Sequence, residues 1–148
     1  KTIRVGPYSV LTYNSMGIIF RSRKQIEKAI EYFQKAIQVD PGYFDAYFNL
    51  GSVYLLDLKN LDEAMKYYQL ALQKDPDGLD SNYYLLQYEL GLAYYIKGED
   101  EKTLKCAERL KELYAPNLAA SLEGLVSGQI TAEKYQELAA GQPQRFYF

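Results

Sequence analysis

Residues 46–76 read AYFNLGSVYLLDLKNLDEAMKYYQLALQKDP. Their apolar positions recur at intervals of one, three and four residues, which is the spacing of one face of an α-helix. Asn60 is suited to an N-cap between the two halves, and Pro76 cannot continue a helix. The stretch therefore predicts two helices joined by a tight turn. The residues that carry the pattern are Tyr47, Leu50, Gly51, Tyr54, Leu61, Ala64, Met65, Tyr68, Ala71 and Leu72.

The same pattern occurs upstream and, in weaker form, downstream. Gly51 follows Gly17 by 34 residues, and the residues around the two glycines have the same spacing. Gly91 marks a third copy, in which Gln87 and Thr103 replace the first aromatic residue and the first alanine. A recurring period of about 34 residues predicts helical hairpins that stack on one another. The upstream matches are Tyr13, Met16, Gly17, Phe20, Ile26, Ala29, Ile30, Phe33, Ala36, Ile37 and Pro41.

Two irregularities interrupt this period. Ala64 follows Ala29 by 35 residues, so one extra residue is expected in the turn at 57–60. Gly91 follows Gly51 by 40 residues, and the capping cluster at 80–82 favours a longer first helix in the third copy over a longer loop. The expected N-caps of the second helices in copies one and three are Ser22 and Gly98.

Glycines inside the first helices also need an explanation. A glycine in a helix interior costs about 1 kcal/mol relative to alanine. This cost is reasonable only where another helix approaches too closely to admit a Cβ atom. Gly17, Gly51 and Gly91 are therefore predicted to lie at tight helix crossings.

These residues resemble the tetratricopeptide repeat (TPR) family over about residues 10–116. The family pattern has an aromatic residue, an aliphatic-glycine pair and a second aromatic residue, then alanine, aromatic, alanine and a final proline. The resemblance implies an all-α fold, a right-handed α-α superhelix of three helical hairpins followed by two C-terminal helices. The expected single domain, residues 1–148, contains repeat one at about 10–43, repeat two at about 44–78, a divergent repeat three at about 81–116 and a capping segment at 117–148.

The capping segment is expected to close the stack. Residues 117–127 and 131–140 each have an amphipathic pattern typical of a short helix. The tail after them ends in Phe146-Tyr147-Phe148. Two interpretations remain open for this tail: it packs on the last helices, or it is a segment that docks in a groove.

Composition excludes most catalytic and metal-binding chemistry. The 148 residues include no His and one Cys, which excludes Ser-His-Asp and Cys-His arrangements and His- or Cys-rich zinc sites. A net charge of −2 without a basic block argues against a nucleic acid partner. Carboxylate pairs such as Asp62-Glu63 lie at predicted helix N-termini, where the helix dipole explains them. We therefore expect no enzyme activity, no cofactor and no metal.

The sequence gives little information about compartment. No stretch is long and apolar enough to span a bilayer, so we expect no transmembrane segment. Residues 1–10 lack the apolar core of a secretion signal. A cytoplasmic location is favoured, with an exported form whose leader has been removed as the alternative.

The resemblance implies that the first helices line a concave, peptide-binding groove. The chain is thus expected to be a non-enzymatic scaffold that binds a peptide or helix of a partner protein. The alternative is a self-associating assembly factor, such as a homodimer, that uses the same apolar surfaces. The implied lining consists of Leu11, Asn14, Ile18, Arg21, Asp45, Phe48, Asn49, Ser52, Leu55, Leu85, Tyr88, Glu89, Leu92 and Tyr95.

Five of these positions matter for acidic ligands. Family members that bind acidic chaperone tails hold them with cations and asparagines, and Asn49 matches that pattern. Asn14, Ile18, Leu85 and Glu89 depart from it. The expected partner therefore contributes apolar anchors and is not an acidic chaperone C-terminal tail.

Overall fold

The computed structural model describes residues 8–131. This part of the chain contains seven α-helices and no strand, which confirms the predicted all-α helical repeat. A π-helical turn, Val53–Asp57, continues the third helix. The helices are α1 (Val10–Ser22), α2 (Ile26–Val39), α3 (Phe44–Ser52), α4 (Leu61–Lys74), α5 (Tyr83–Ile96), α6 (Asp100–Glu112) and α7 (Pro116–Val126).

The chain divides into two compact units, residues 1–89 and 90–148, and the boundary lies within α5. In the first unit α1 pairs with α2, α3 pairs with α4, and α2 packs on α3. In the second unit α6 packs on α7. The predicted helix at 131–140 lies beyond the described residues except for Thr131, as does the tail. The single domain and the repeat boundaries stay predictions.

Two helix crossings in the first unit depend on glycine. A Cβ atom on Gly17 would lie 2.5 Å from Cε1 of Phe33, and one on Gly51 would lie 2.5 Å from Cδ1 of Tyr68. Both aromatic residues are fully buried. The predicted tight crossings are therefore present, because each ring occupies the space that a side chain would need.

Gly91 has the same role in the second unit. A Cβ atom there would lie 2.5 Å from Cδ1 of Leu122 and 3.2 Å from Cβ of Cys106. Burial raises the pKa of the Cys106 thiol to about 11, so the thiol remains protonated at neutral pH. Cys106 is thus a packing residue of the second unit.

The two helices of each hairpin are joined by a turn with a residue of positive φ at its centre. These central residues are Lys24 (60°), Lys59 (54°) and Gly98 (78°), and Tyr114 (59°) occupies the same place between α6 and α7. A backbone amide closes the first turn by donating from Gln25 to the carbonyl of Phe20 at 2.9 Å.

Only one of the three predicted N-caps is correct in this geometry. Asn60 accepts a hydrogen bond from the Glu63 amide at 3.2 Å, as predicted. Ser22 is still in α1 and donates to the Ile19 carbonyl, so it does not cap α2. Glu99, and not Gly98, precedes α6. Lys24, with its positive φ, separates Ser22 from the start of α2, and Gly98 is itself the positive-φ residue of its turn.

The extra residue of repeat two lies inside a helix, not in the predicted turn. Residues 23–25 and 58–60 form connections of equal length. The Asn60 amide donates to the Tyr54 carbonyl at 2.8 Å, which is one residue farther back than the equivalent bond between Gln25 and Phe20. A π-helical turn accommodates a single inserted residue in this way.

Most of the insertion before repeat three lengthens a loop, since residues 75–82 connect α4 to α5 where only residues 40–43 connect α2 to α3. Helix α5 begins at Tyr83 and has 14 residues, so the predicted longer helix is wrong. The side chain of Asp75 accepts hydrogen bonds from the amides of Leu79 and Asp80, each at 2.9 Å, and Asp80 accepts from Asn82 at 2.8 Å. These bonds satisfy the loop backbone without a longer helix.

Candidate interaction site on the first helices

Most of the predicted groove residues in the first unit are packed side chains. Leu11 is exposed, with 62% of its surface accessible. Leu92 is buried and Tyr95 half-buried, and both belong to the second unit. In the first unit the half-buried residues are Ile18, Arg21, Asp45 and Tyr88, and the buried ones are Asn14, Phe48, Asn49, Ser52, Leu55, Leu85 and Glu89.

Two asparagines join α1 to α3. Nδ2 of Asn49 donates to Oδ1 of Asn14 at 3.0 Å, and each residue is 7% exposed. Buried amides are costly unless they are paired, so this bond stabilises the α1–α3 contact. Next along α3, Phe48 packs its ring against those of Phe44 and Tyr68, at centroid distances of 6.2 and 6.5 Å.

A second polar contact lies at the start of α3. Oδ1 of Asp45 accepts a hydrogen bond from Nδ2 of Asn82 at 2.9 Å, and Oδ2 accepts from the Tyr43 hydroxyl at 3.2 Å. Burial, followed by the charge of Asp45, raises the pKa of Tyr43 to about 12. Asp45, a predicted groove residue, therefore anchors the loop that precedes α5 through its bond to Asn82.

A buried carboxylate occupies the centre of the site. Glu89 is 5% exposed, and its Oε2 atom accepts hydrogen bonds from the Tyr68 hydroxyl at 2.7 Å and from the Ser52 hydroxyl. Tyr68 and Ser52 are fully buried. These three residues, which we name the Glu89 network, connect α3, α4 and the first part of α5.

Arg21 extends this polar contact to α1. Its Nε atom donates to Oδ2 of Asp57 at 2.7 Å, and its Nη2 atom donates to the Ser52 carbonyl at 3.3 Å. Asp57 is the last residue of the π-helical turn. The guanidinium therefore links α1 to the end of α3 and lies close enough to Glu89 to stabilise its negative charge.

Burial dominates the acid-base properties of the Glu89 network. It raises the pKa of Glu89 above that of an ordinary glutamate, although the hydrogen bonds from Ser52 and Tyr68 and the charge of Arg21 partly oppose this shift. Burial and the nearby Glu89 carboxylate raise the pKa of Tyr68 well above its usual value. The Tyr68 hydroxyl therefore remains a hydrogen-bond donor throughout the physiological pH range.

Sequence reasoning missed two members of this arrangement. It assigned Tyr68 to the core, as the counterpart of Phe33, and Asp57 to a turn. The available signal was the hydroxyl that Tyr68 has and Phe33 lacks, because a buried hydroxyl needs a partner. A contact of Ser52 or Glu89 with a partner protein stays a prediction.

Within residues 8–131, no three acidic or cysteine side chains are grouped as metal ligands. The helices in the same range are too short or too polar to cross a bilayer.

Comparisons with known proteins agree with this architecture. A family model described as TPR repeat matches residues 17–57, and one described as tetratricopeptide repeat matches residues 44–77. An uncharacterized protein of Methanocaldococcus jannaschii is 46% identical over 37 residues, which is 25% of this chain and 43% of that protein. The match thus spans less than half of that relative.

Two solved structures share the fold. The N-terminal domain of stress-induced protein-1 (STI-1) from C. elegans aligns with a TM-score of 0.66 and 21% identity, covering 78% of this chain and 93% of that chain. The first TPR of Spaghetti (RPAP3), bound to the HSP90 peptide SRMEEVD, aligns with a TM-score of 0.68 and 23% identity, covering 93% and 98%.

The hairpins, their period and the glycine crossings define a helical-repeat protein with the architecture of an interaction scaffold. Residues within 17–77 match models of the tetratricopeptide repeat family, and the described helices share the fold of the two solved structures. Members of this family are generally non-catalytic modules for protein–protein interaction.

Proposed function

We propose that the chain binds a peptide or helix of a partner protein on the face formed by α1, α3 and residues 83–89 of α5. The observation that carries this proposal is the composition of that face. It combines the half-buried side chains of Ile18 and Tyr88, which a partner can reach, with the Asn14–Asn49 amide pair. Apolar surroundings supply anchoring contacts, and amides supply hydrogen bonds to a peptide backbone.

The charges of this face favour a partner with few acidic residues. Glu89 is a carboxylate at a position where acidic-tail-binding family members carry a cation. Arg21, which lies near it, is already engaged with Asp57 and the Ser52 carbonyl. A ligand carboxylate placed beside Glu89 would be repelled while losing its hydration, which is unfavourable in a partly buried site.

A peptide display experiment tests this function. We expect a random peptide library, selected on the full chain, to yield sequences rich in aromatic and aliphatic residues and poor in Asp and Glu. Tyr88→Ala should weaken the selected peptides at least tenfold, as expected for an aromatic anchor. Its unfolding midpoint should stay within a few degrees of wild type.

Tyr114→Ala is the matched control, because Tyr114 is 93% exposed and lies in the second unit. Its peptide affinity should equal that of wild type. Micromolar binding of the acidic peptide SRMEEVD to wild type would contradict the proposed charge selectivity. Selected peptides that bind Tyr88→Ala as tightly as wild type would contradict the proposed site. The same peptide-binding assay also tests whether Leu92 and Tyr95, as predicted, contact the peptide.

Self-association is the alternative use of the apolar surfaces. It predicts a molecular mass that rises with protein concentration in light scattering. A constant monomer mass that coexists with peptide binding supports the proposed function.

A further inference from the structure

Two equivalent helix stripes in the first unit have very different exposures. The 34-residue period aligns Thr12, Met16 and Ile19 of α1 with three residues of repeat two. These are Ala46 and Leu50 of α3 and Val53 of the π-helical turn. The three residues of repeat two are 0% exposed. Ile19, by contrast, is 48% exposed.

Helix α2 is the element that covers the stripe in repeat two. Leu50 and Val53 share a buried cluster with Ala29 and Phe33 of α2, and Ala46 packs with Ala36 of the same helix. The covering stripe of α2 thus alternates small, large and small side chains. The small residues admit the branched and long side chains of the neighbouring helix.

The open face of α1 has the composition of a covered surface. Arg21 is the single charged residue among the 13 residues of α1, and it is directed to Asp57. Helix surfaces that face solvent normally carry charged residues. Here the open stripe presents Ile19, which is 48% exposed, together with the half-buried side chains of Thr12 and Met16.

We propose that this outer face of α1, formed by Thr12, Met16 and Ile19, docks an amphipathic helix of a partner protein. The partner helix has an uncharged alanine–large–alanine stripe like that of α2. The proposal rests on continuity: the face repeats the stripe on which α2 stacks in the same unit. Both faces lie on α1, but Thr12, Met16 and Ile19 are distinct from the residues that are predicted to line the peptide-binding groove.

The dimensions and composition of the face favour a partner helix over a second copy. Helix α1 is 13 residues long and extends about 20 Å at 1.5 Å per residue, so a single helix of similar length covers its outer face. A stable dimer, by contrast, buries about 800 Å² on each partner. Helix α1 also contains no alanine. Two copies of α1 would therefore bring Met16 and Ile19 of one copy against those of the other, without the alanines that α2 provides.

The α2 sequence itself supplies a probe. A fluorescent peptide of residues 25–40, cross-linked through the exposed positions 27 and 31 to hold it helical, is titrated with the full chain. Fluorescence anisotropy should show saturable binding. The same peptide with Phe33→Asp should not bind, because a carboxylate would enter the apolar contact.

Ile19→Glu places a charge on the face and should weaken peptide binding more than tenfold. The side chain is half exposed, so circular dichroism should show an unchanged unfolding midpoint. Leu58→Glu is the matched control, since Leu58 is 45% exposed in the same unit but outside the face. It should bind the peptide like wild type.

Three results would overturn the proposal. The first is equal peptide affinity of wild type and Ile19→Glu. The second is no saturable binding to wild type. The third is a concentration-dependent dimer that Ile19→Glu disperses, because the occupant would then be a second copy. Tyr88→Ala should leave binding of the α2 peptide unchanged, so failure here is distinguishable from failure of the peptide-binding face.

Discussion

Gly51→Ala is expected to destabilise the protein although alanine is the better helix former. The new Cβ atom would lie 2.5 Å from Cδ1 of Tyr68. Carbon atoms in good contact are about 3.5–4.0 Å apart, so the ring or the helix must move by about 1 Å. Tyr68 is fully buried, and its hydroxyl is bonded to Glu89 at 2.7 Å. The ring therefore has little freedom to move.

The magnitude follows from three contributions. Overpacking in a core costs about 1–3 kcal/mol. Loss of the Tyr68–Glu89 hydrogen bond costs about 1–3 kcal/mol more, because both groups are buried. Replacing glycine by alanine in a helix returns about 1 kcal/mol. The expected net loss in free energy of unfolding is about 3 kcal/mol.

Gly17→Ala separates these contributions. Its Cβ atom would meet Phe33 at the same distance of 2.5 Å, but Phe33 has no hydroxyl to lose. The expected net loss there is about 1 kcal/mol, from the same overpacking and helix-propensity values. Gly42→Ala, in an exposed turn, should change stability by less than about 0.5 kcal/mol.

Urea unfolding followed by circular dichroism measures all three variants. The reasoning is refuted if Gly51→Ala is as stable as wild type, or if Gly17→Ala is the more damaging of the two substitutions. The first result would mean that the helices separate at low cost. The second would mean that the Glu89 hydrogen bond does not hold the ring.

Three further predictions concern stability. The native state keeps the proton of Glu89 to higher pH than the unfolded chain does. The free energy of unfolding of wild type should therefore fall as pH rises above about 4.3, the ordinary glutamate pKa. Glu89→Gln should not show this fall and should be more stable than wild type at neutral pH; parallel stability profiles for the two proteins between pH 4 and 8 would contradict this. Asn60→Ala removes the cap on the Glu63 amide and should cost about 1 kcal/mol in chemical denaturation, with Ser22→Ala as the comparison because Ser22 is not a cap. Lys59→Gly relieves a positive φ of 54° and should raise the thermal midpoint, while an unchanged or lower midpoint would mean that the turn stores no strain.

The fold was largely predictable because it depends on short-range spacing. Residues such as Leu50 and Ala64 recur at helical intervals, and each interior glycine has a cost that only a close crossing explains. The turns were less predictable. Lys24 and Lys59 adopt positive φ without the glycine that normally indicates it, so Ser22 was wrongly chosen as a cap.

The spacing of residues in the sequence could not predict the Glu89 network. Glu89 meets Tyr68 and Ser52, which precede it by 21 and 37 residues. These contacts depend on how a helix rotates within the stack, and residue spacing alone does not specify that rotation. The role of Asp57 was hidden for the same reason, since it depends on a π-helical turn.

That π-helical turn also determines the direction of the Asp57 side chain. Each residue of an α-helix rotates the chain by about 100°, so an insertion before Asp57 swings every later side chain of that helix to a new direction. Arg21 and Asp57 now meet at 2.7 Å, while the connection at 58–60 keeps the length of the one at 23–25. The π-helical turn thus brings Asp57 to Arg21 without changing the length of either connection, and deletion of one residue within 53–57 should separate the two charges.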